Sequence, residues 1–123
     1  DGVKGSLAWS KTASGSTGLD GDESALFGSE SDGRVVSWKR ADGERLWTTE
    51  RLQFRILSGP LLVGRSVVIG DEVGTLHFLS KQDGSPLNRI STDGSAINST
   101  PILVGQTLVA VTQKGGVYGF KPE

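Results

Sequence analysis

An all-β chain of antiparallel four-stranded blades is what this sequence predicts, and three observations carry the prediction. Landmarks recur 41 positions apart: Asp42-Gly43 returns as Asp83-Gly84, Gly33 as Gly74, and Pro60 as Pro101. Short apolar segments obey the same offset and are separated by glycine-containing turns, as in an antiparallel meander. Valine, threonine and glycine also recur too closely for a long amphipathic helical stripe. Repeats of about 40 to 50 residues built from short strands are the sequence signature of β-propeller blades.

The elements follow in order. Gly5-Ser6-Leu7-Ala8-Trp9 aligns with Gly43-Glu44-Arg45-Leu46-Trp47, which predicts an isolated outer strand over residues 5–11. A first full blade is expected over 17–49, with strands at 17–20, 24–29, 34–39 and 45–49. The second spans 58–91, with strands at 58–63, 66–70, 75–80 and 86–91. Each Asp-Gly supplies a side-chain acceptor followed by a residue that tolerates positive φ, which suits the turn between the last two strands. A partial blade of three strands covers 98–121, giving twelve strands in all.

Propellers close with roughly four to eight blades, each covering the apolar flank of its neighbour. Three blades' worth of strands does not close the ring. The chain is therefore expected to be the C-terminal part of one larger propeller domain, about three blades of it. Alone it should expose two apolar blade flanks and self-associate or pair with another chain. A small self-contained sandwich or barrel is the alternative, and it leaves the Trp9 segment and the strict offset unexplained.

Composition narrows the function. Thirteen basic and fourteen acidic residues give a net charge of -1, without a long run of either sign. That argues against nucleic acid or an anionic membrane surface as a partner held by bulk charge. The absence of cysteine excludes disulfides, thiol catalysis and thiolate metal sites. No apolar run approaches the length of a membrane-spanning helix.

Few residues suggest chemistry. Trp9 and Trp47 share one repeat position, where a large ring is expected to fill the wedge between neighbouring blades; the next equivalent, Asn88, lacks the ring. Trp38 reads as a core or inter-blade residue. His77 is the single histidine, expected at a partly exposed strand position, with no neighbours to make a metal site. Asp20, Asp22, Glu23, Asp32, Asp42, Asp71, Glu72 and Asp83 follow the turns and form no calcium-loop pattern. No phosphate loop, nucleophile elbow or paired catalytic carboxylates can be assigned, so no catalytic, metal or cofactor residue is expected.

The segment that joins the first full blade to the second, residues 50–57, is the exception. Arg51, Gln53, Phe54 and Arg55 have the composition of a protein-contact hot spot on a propeller rim. The competing reading tucks Phe54, Ile56 and Leu57 under the rim and leaves the arginines in solvent. Residues 12–18 and 92–99 lie in the corresponding connections and are rich in serine, glycine and threonine, suited to short backbone-mediated contacts.

The runs Gly-Arg-Val-Val-Ser-Trp at 33–38 and Asp-Gly-Glu-Arg-Leu-Trp at 42–47 resemble the pyrroloquinoline-quinone-type propeller repeat. Within that group the segment from Leu52 to Gly64, the run from Val68 to Phe78, and Gly116-Val117-Tyr118 are similar to the BamB family. These are the propeller lipoproteins of the outer-membrane β-barrel assembly machinery. The resemblance implies an eight-bladed, lipid-anchored propeller at the periplasmic face of the outer membrane. It implies a non-enzymatic scaffold that binds the central assembly protein, BamA, and assists insertion of β-barrel proteins, with their unfolded chains as further partners. It implies no cofactor. The alternatives are a fragment of a secreted quinone-dependent oxidoreductase and a ligand-binding propeller, for which only Trp38 and Phe54 offer aromatic walls.

Overall fold

The structure is a computed structural model and describes residues 5–11 and 16–121. Eleven strands form three separate antiparallel sheets. The first sheet contains β1 (Ser16–Gly21), β2 (Ala25–Glu30), β3 (Val35–Lys39) and β4 (Arg45–Thr49) in that order. The second contains β5 (Leu61–Val63), β6 (Ser66–Gly70), β7 (Thr75–Ser80) and β8 (Pro86–Ser91), again in sequence order. The third has β9 (Ile102–Val104), β10 (Thr107–Val111) and β11 (Val117–Phe120). The chain is thus all-β, in meander blades that do not close: a partial β-propeller. Regular pairing in the second blade starts at Leu61, and the residues before it contribute only a bridge between Leu57 and Asp71.

The alternation of side chains along each strand decides how the blades stack. In the second blade, Val67, Ile69 and Leu79 leave the face toward the first blade and meet Ala25, Phe27 and Val35, together with Leu52 and Leu57 of the connector. Val68 and Leu76 leave the opposite face and meet Leu108 and Ala110 of the third blade, together with Ile97. One sheet therefore serves two cores, which is why its strands read as continuous apolar runs. Trp38 is buried with its ring against Gly28, where a Cβ would stand 3.0 Å from the ring. This is the core position expected of it.

At the outer edge, the two equivalent tryptophans act as bolts between successive units. The Trp9 indole Nε1–H donates to the Arg40 carbonyl at 2.7 Å, and that of Trp47 to the Lys81 carbonyl at 2.9 Å. Each ring packs against the glycine of the following Asp-Gly turn, Gly43 or Gly84, both at φ +76. Phe27 packs beside Trp47 with ring centroids 6.0 Å apart. The Asp22 carboxylate reaches across the same seam to Lys81 Nζ at 3.0 Å. Amide hydrogen bonds from Ala25 and Ser24, then the Lys81 contact, draw the Asp22 pKa down to about 2. No tryptophan bolts the second blade to the third. Where Asn88 stands, the seam opens into a cavity of about 390 Å³ between Phe78, Leu87, Leu108 and Phe120.

Two expectations need correction. Residues 5–11 are irregular rather than an outer strand, because no third strand of their own blade stands beside them among the described residues. Trp9 nevertheless makes the contact that its repeat position demands. Of the two flanks expected to be open, the first blade's buries Val36 and Trp38 and exposes Leu19. The third blade's outer face is the bare one, with Ile102, Val104, Val111 and Val117 exposed.

Candidate functional site: the connector between the first two blades

Residues 50–57 run along one rim, and their backbone is fixed at three points. Gln53 N–H donates to the Glu50 carbonyl at 3.0 Å, Arg55 N–H to the Leu52 carbonyl at 3.1 Å, and Phe54 N–H to the Asp32 carbonyl at 2.7 Å. The turn carrying Gly33 nests against this segment so closely that a Cβ there would collide with the Leu52 carbonyl oxygen. Leu52 and Leu57 are driven into the core between the blades. Phe54 and Ile56 stay out, 85% and 68% exposed. The two readings of this segment therefore divide by residue: Leu57 tucks under the rim, whereas Phe54 does not.

Phe54 has φ 70, the only non-glycine residue with positive φ among the described residues. A left-handed conformation costs an L-residue with a bulky side chain about 1–2 kcal/mol. The next connector shows what the geometry prefers. There the turn glycine is Gly74, its virtual Cβ lies 3.1 Å from the Gly94 nitrogen, and Gly94 has φ +89. The equivalent contact of Gly33 is with the Phe54 nitrogen at 2.9 Å. A position that takes glycine in one connector takes an exposed phenylalanine in the other.

Beneath the segment lies an ion-pair cluster. Asp71 is fully buried. Its Oδ2 accepts from Arg55 Nη1 at 3.1 Å and from His77 Nε2 at 2.8 Å. Its Oδ1 accepts the Val73 and Thr75 amides at 3.0 and 2.9 Å. Burial alone pushes this carboxyl up, but the His77 hydrogen bond and the two amides outweigh it and hold the pKa below the ordinary aspartate value. An ionised carboxylate only accepts, so His77 Nε2 carries the hydrogen. The Asp71 carbonyl also accepts the Ile97 amide at 2.9 Å, which ties in the following connector. His77 is thus buried, not partly exposed: it faces the first blade beneath the connector and is drawn in by Asp71. Sequence reasoning gave Asp71 only its turn role. The offset held the missing signal, since Glu30, Asp71 and Thr112 share a repeat position and all three are buried.

Arg51, Gln53, Phe54 and Arg55 thus share one short rim segment, with Arg55 anchored to Asp71, Arg51 exposed and Gln53 half-buried. Among the described residues no group of three metal-ligating side chains occurs. Residues 12–15 lie outside the described residues, so the contact role expected of 12–18 is not addressed there. In the 92–99 connection, Asp93 accepts from Ser95 Oγ at 2.6 Å and Thr112 Oγ1 at 2.7 Å. Hydrogen bonds from Ser95 and then Thr112 lower the Asp93 pKa to about 2.

Blades of this construction, bolted at the rim and stacked face to face, define a segment of a pyrroloquinoline-quinone-type β-propeller. Residues 2–49 match the family model described as outer membrane protein assembly factor BamB. The outer membrane protein assembly factor BamB of Burkholderia pseudomallei is 43% identical over 99% of this chain and 32% of its own length. The chain matches this BamB family and spans about a third of the curated relatives it matches. The crystal structure of BamB from Moraxella catarrhalis superposes with a TM-score of 0.77 at 31% identity, over 84% of this chain and 30% of that one. A quinohemoprotein alcohol dehydrogenase from Pseudomonas putida HK5 has a TM-score of 0.75 at 14% identity, covering 94% of this chain and 21% of that one. That likeness is one of fold alone.

Proposed function

We propose that the protein is a non-enzymatic scaffold in the assembly and insertion of β-barrel proteins into the outer membrane. In its full length it acts at the periplasmic face, lipid-anchored, and binds the central assembly protein, BamA, with unfolded barrel proteins as further clients. The observation that carries this reading is the 43% identity to an assembly factor along nearly the whole chain. The rim segment with Arg51, Gln53, Phe54 and Arg55 is its contact surface in this part of the propeller. Exposure of Phe54 in a conformation suited to glycine supports that assignment. An aromatic ring flanked by guanidinium groups is the pairing that dominates binding energy at protein contacts.

The test is a pull-down from detergent-solubilised envelope with the full-length protein and with its Phe54→Ala, Arg55→Ala double variant. The intact protein should capture assembly components, and the double variant should retain less than about a tenth of them, as expected for loss of a hot-spot pair. Undiminished capture by the variant would remove the rim site. Failure of the intact protein to capture any component would remove the scaffold role.

A further inference from the structure

A cleft of about 460 Å³ opens between the connector and the outer part of the second blade. Arg51 and Arg55 enter it from the connector, His77 from β7 and Arg89 from β8, over a floor that includes Leu52 and Leu79. His77 and Arg89 are cross-strand partners, so their side chains leave the same face of the sheet. Both blades bordering the cleft have all four strands, so it is not a product of the bare flank at the third blade.

Its charge is one-sided. Three guanidinium groups and no carboxylate line the walls. Glu50, the acidic residue nearest in sequence, turns instead to Arg34 at 3.5 Å. Asp71 lies behind the wall and engages Arg55 through Nη1 alone, leaving other N–H groups of that guanidinium for a ligand. Among the described residues, Arg51 and Arg89 have no carboxylate within ion-pair distance. The Asp71 clamp also fixes where Arg55 stands, so part of its ordering cost is met before anything binds.

We propose that this cleft is a carboxylate-binding site that takes an aspartate or glutamate side chain from an extended acidic peptide segment. Guanidinium forks match carboxylates bidentately, and the volume falls within the usual range for small binding sites. The surroundings favour a peptide over a free anion or a lipid headgroup. Ile56 and Leu87 stand exposed beside the arginines, offering apolar contact to residues that flank the acidic one. A net charge of -1 without a basic run gives the chain no general attraction to an anionic bilayer. The choice of a peptide rests on the reading of this rim as a protein-contact surface.

The test uses the purified full-length protein and blocked pentapeptides that alternate leucine with glutamate, glutamine or lysine. Binding is read by fluorescence polarisation of a labelled peptide. The glutamate peptide should bind at least about tenfold more tightly than the glutamine one, because its contacts are charge-assisted. Arg51→Glu, Arg89→Glu protein should lose the glutamate peptide and gain the lysine peptide, an inversion that misfolding does not produce. Arg65→Glu protein should behave as the parent. Equal binding of glutamate and glutamine peptides, or no inversion in the double variant, would overturn the proposal. So would phosphatidylglycerol vesicles binding with the same arginine dependence while the peptide does not. Absent peptide binding beside intact envelope capture sinks the cleft alone, whereas peptide binding without envelope capture sinks the scaffold role alone.

Discussion

Phe54 is where a single residue departs from what its surroundings favour. Its backbone is held left-handed by the hydrogen bond to Asp32 and by the packing of Gly33, and its ring makes no use of the core. Asparagine tolerates this conformation and retains a restricted unfolded chain, so Phe54→Asn should stabilise the full-length protein by about 0.5–1 kcal/mol. Urea denaturation checks this, with the midpoint rising at constant slope. The same variant should lose capture of assembly components. A gain in stability accompanied by unchanged capture would mean that the strain serves no contact. Residue identity alone did not disclose this, because positive φ at Phe54 is imposed by a turn far earlier in sequence.

The repeated element is the bolt between units, and its weak point is the turn glycine rather than the tryptophan. A Cβ on Gly84 would stand 2.7 Å from the Trp47 ring, and the φ of +76 is itself unfavourable for other residues. Gly84→Ala should therefore lower stability by about 3 kcal/mol, combining backbone strain with displacement of the ring. Gly64→Ala is the control, since positive φ is shared but nothing lies within 4 Å of its virtual Cβ. Thermal unfolding of the two variants should separate the packing contribution from the backbone contribution. A similar loss in both would show that the bolt adds little. This element was legible in the sequence: the 41-residue offset brought Gly43 over Gly84, and the shared Gly-x-x-x-Trp pattern brought Trp9 over Trp47. The missing ring at Asn88 was equally legible, and the cavity there is its consequence.

For the molecule as a whole, the third blade ends the stack with an uncovered apolar face. Val117 is 71% exposed and Ile102 55%, and neighbouring Val104 and Val111 extend the patch. The isolated chain should associate in solution, and Ile102→Lys with Val117→Lys should shift it toward monomer in light scattering at matched concentration. A monomeric parent chain at about 100 μM would show that this face needs no cover, contrary to the usual cost of such a patch.

Most strand positions, the turn glycines, the blade count and the tryptophan seams were set by the sequence alone, because period-two alternation and turn chemistry act over a few residues and repeat faithfully; the exceptions are residues 5–11 and 58–60, which form no regular strand. Stacking decided the rest. Which flank stays bare, that Arg55 of the connector reaches a buried Asp71, and that Arg51, Arg55 and Arg89 line one cleft all depend on how the units pack on one another. Local pattern carries no record of those contacts, since residues 16 to 38 positions apart in the chain meet there only once two sheets pack face to face.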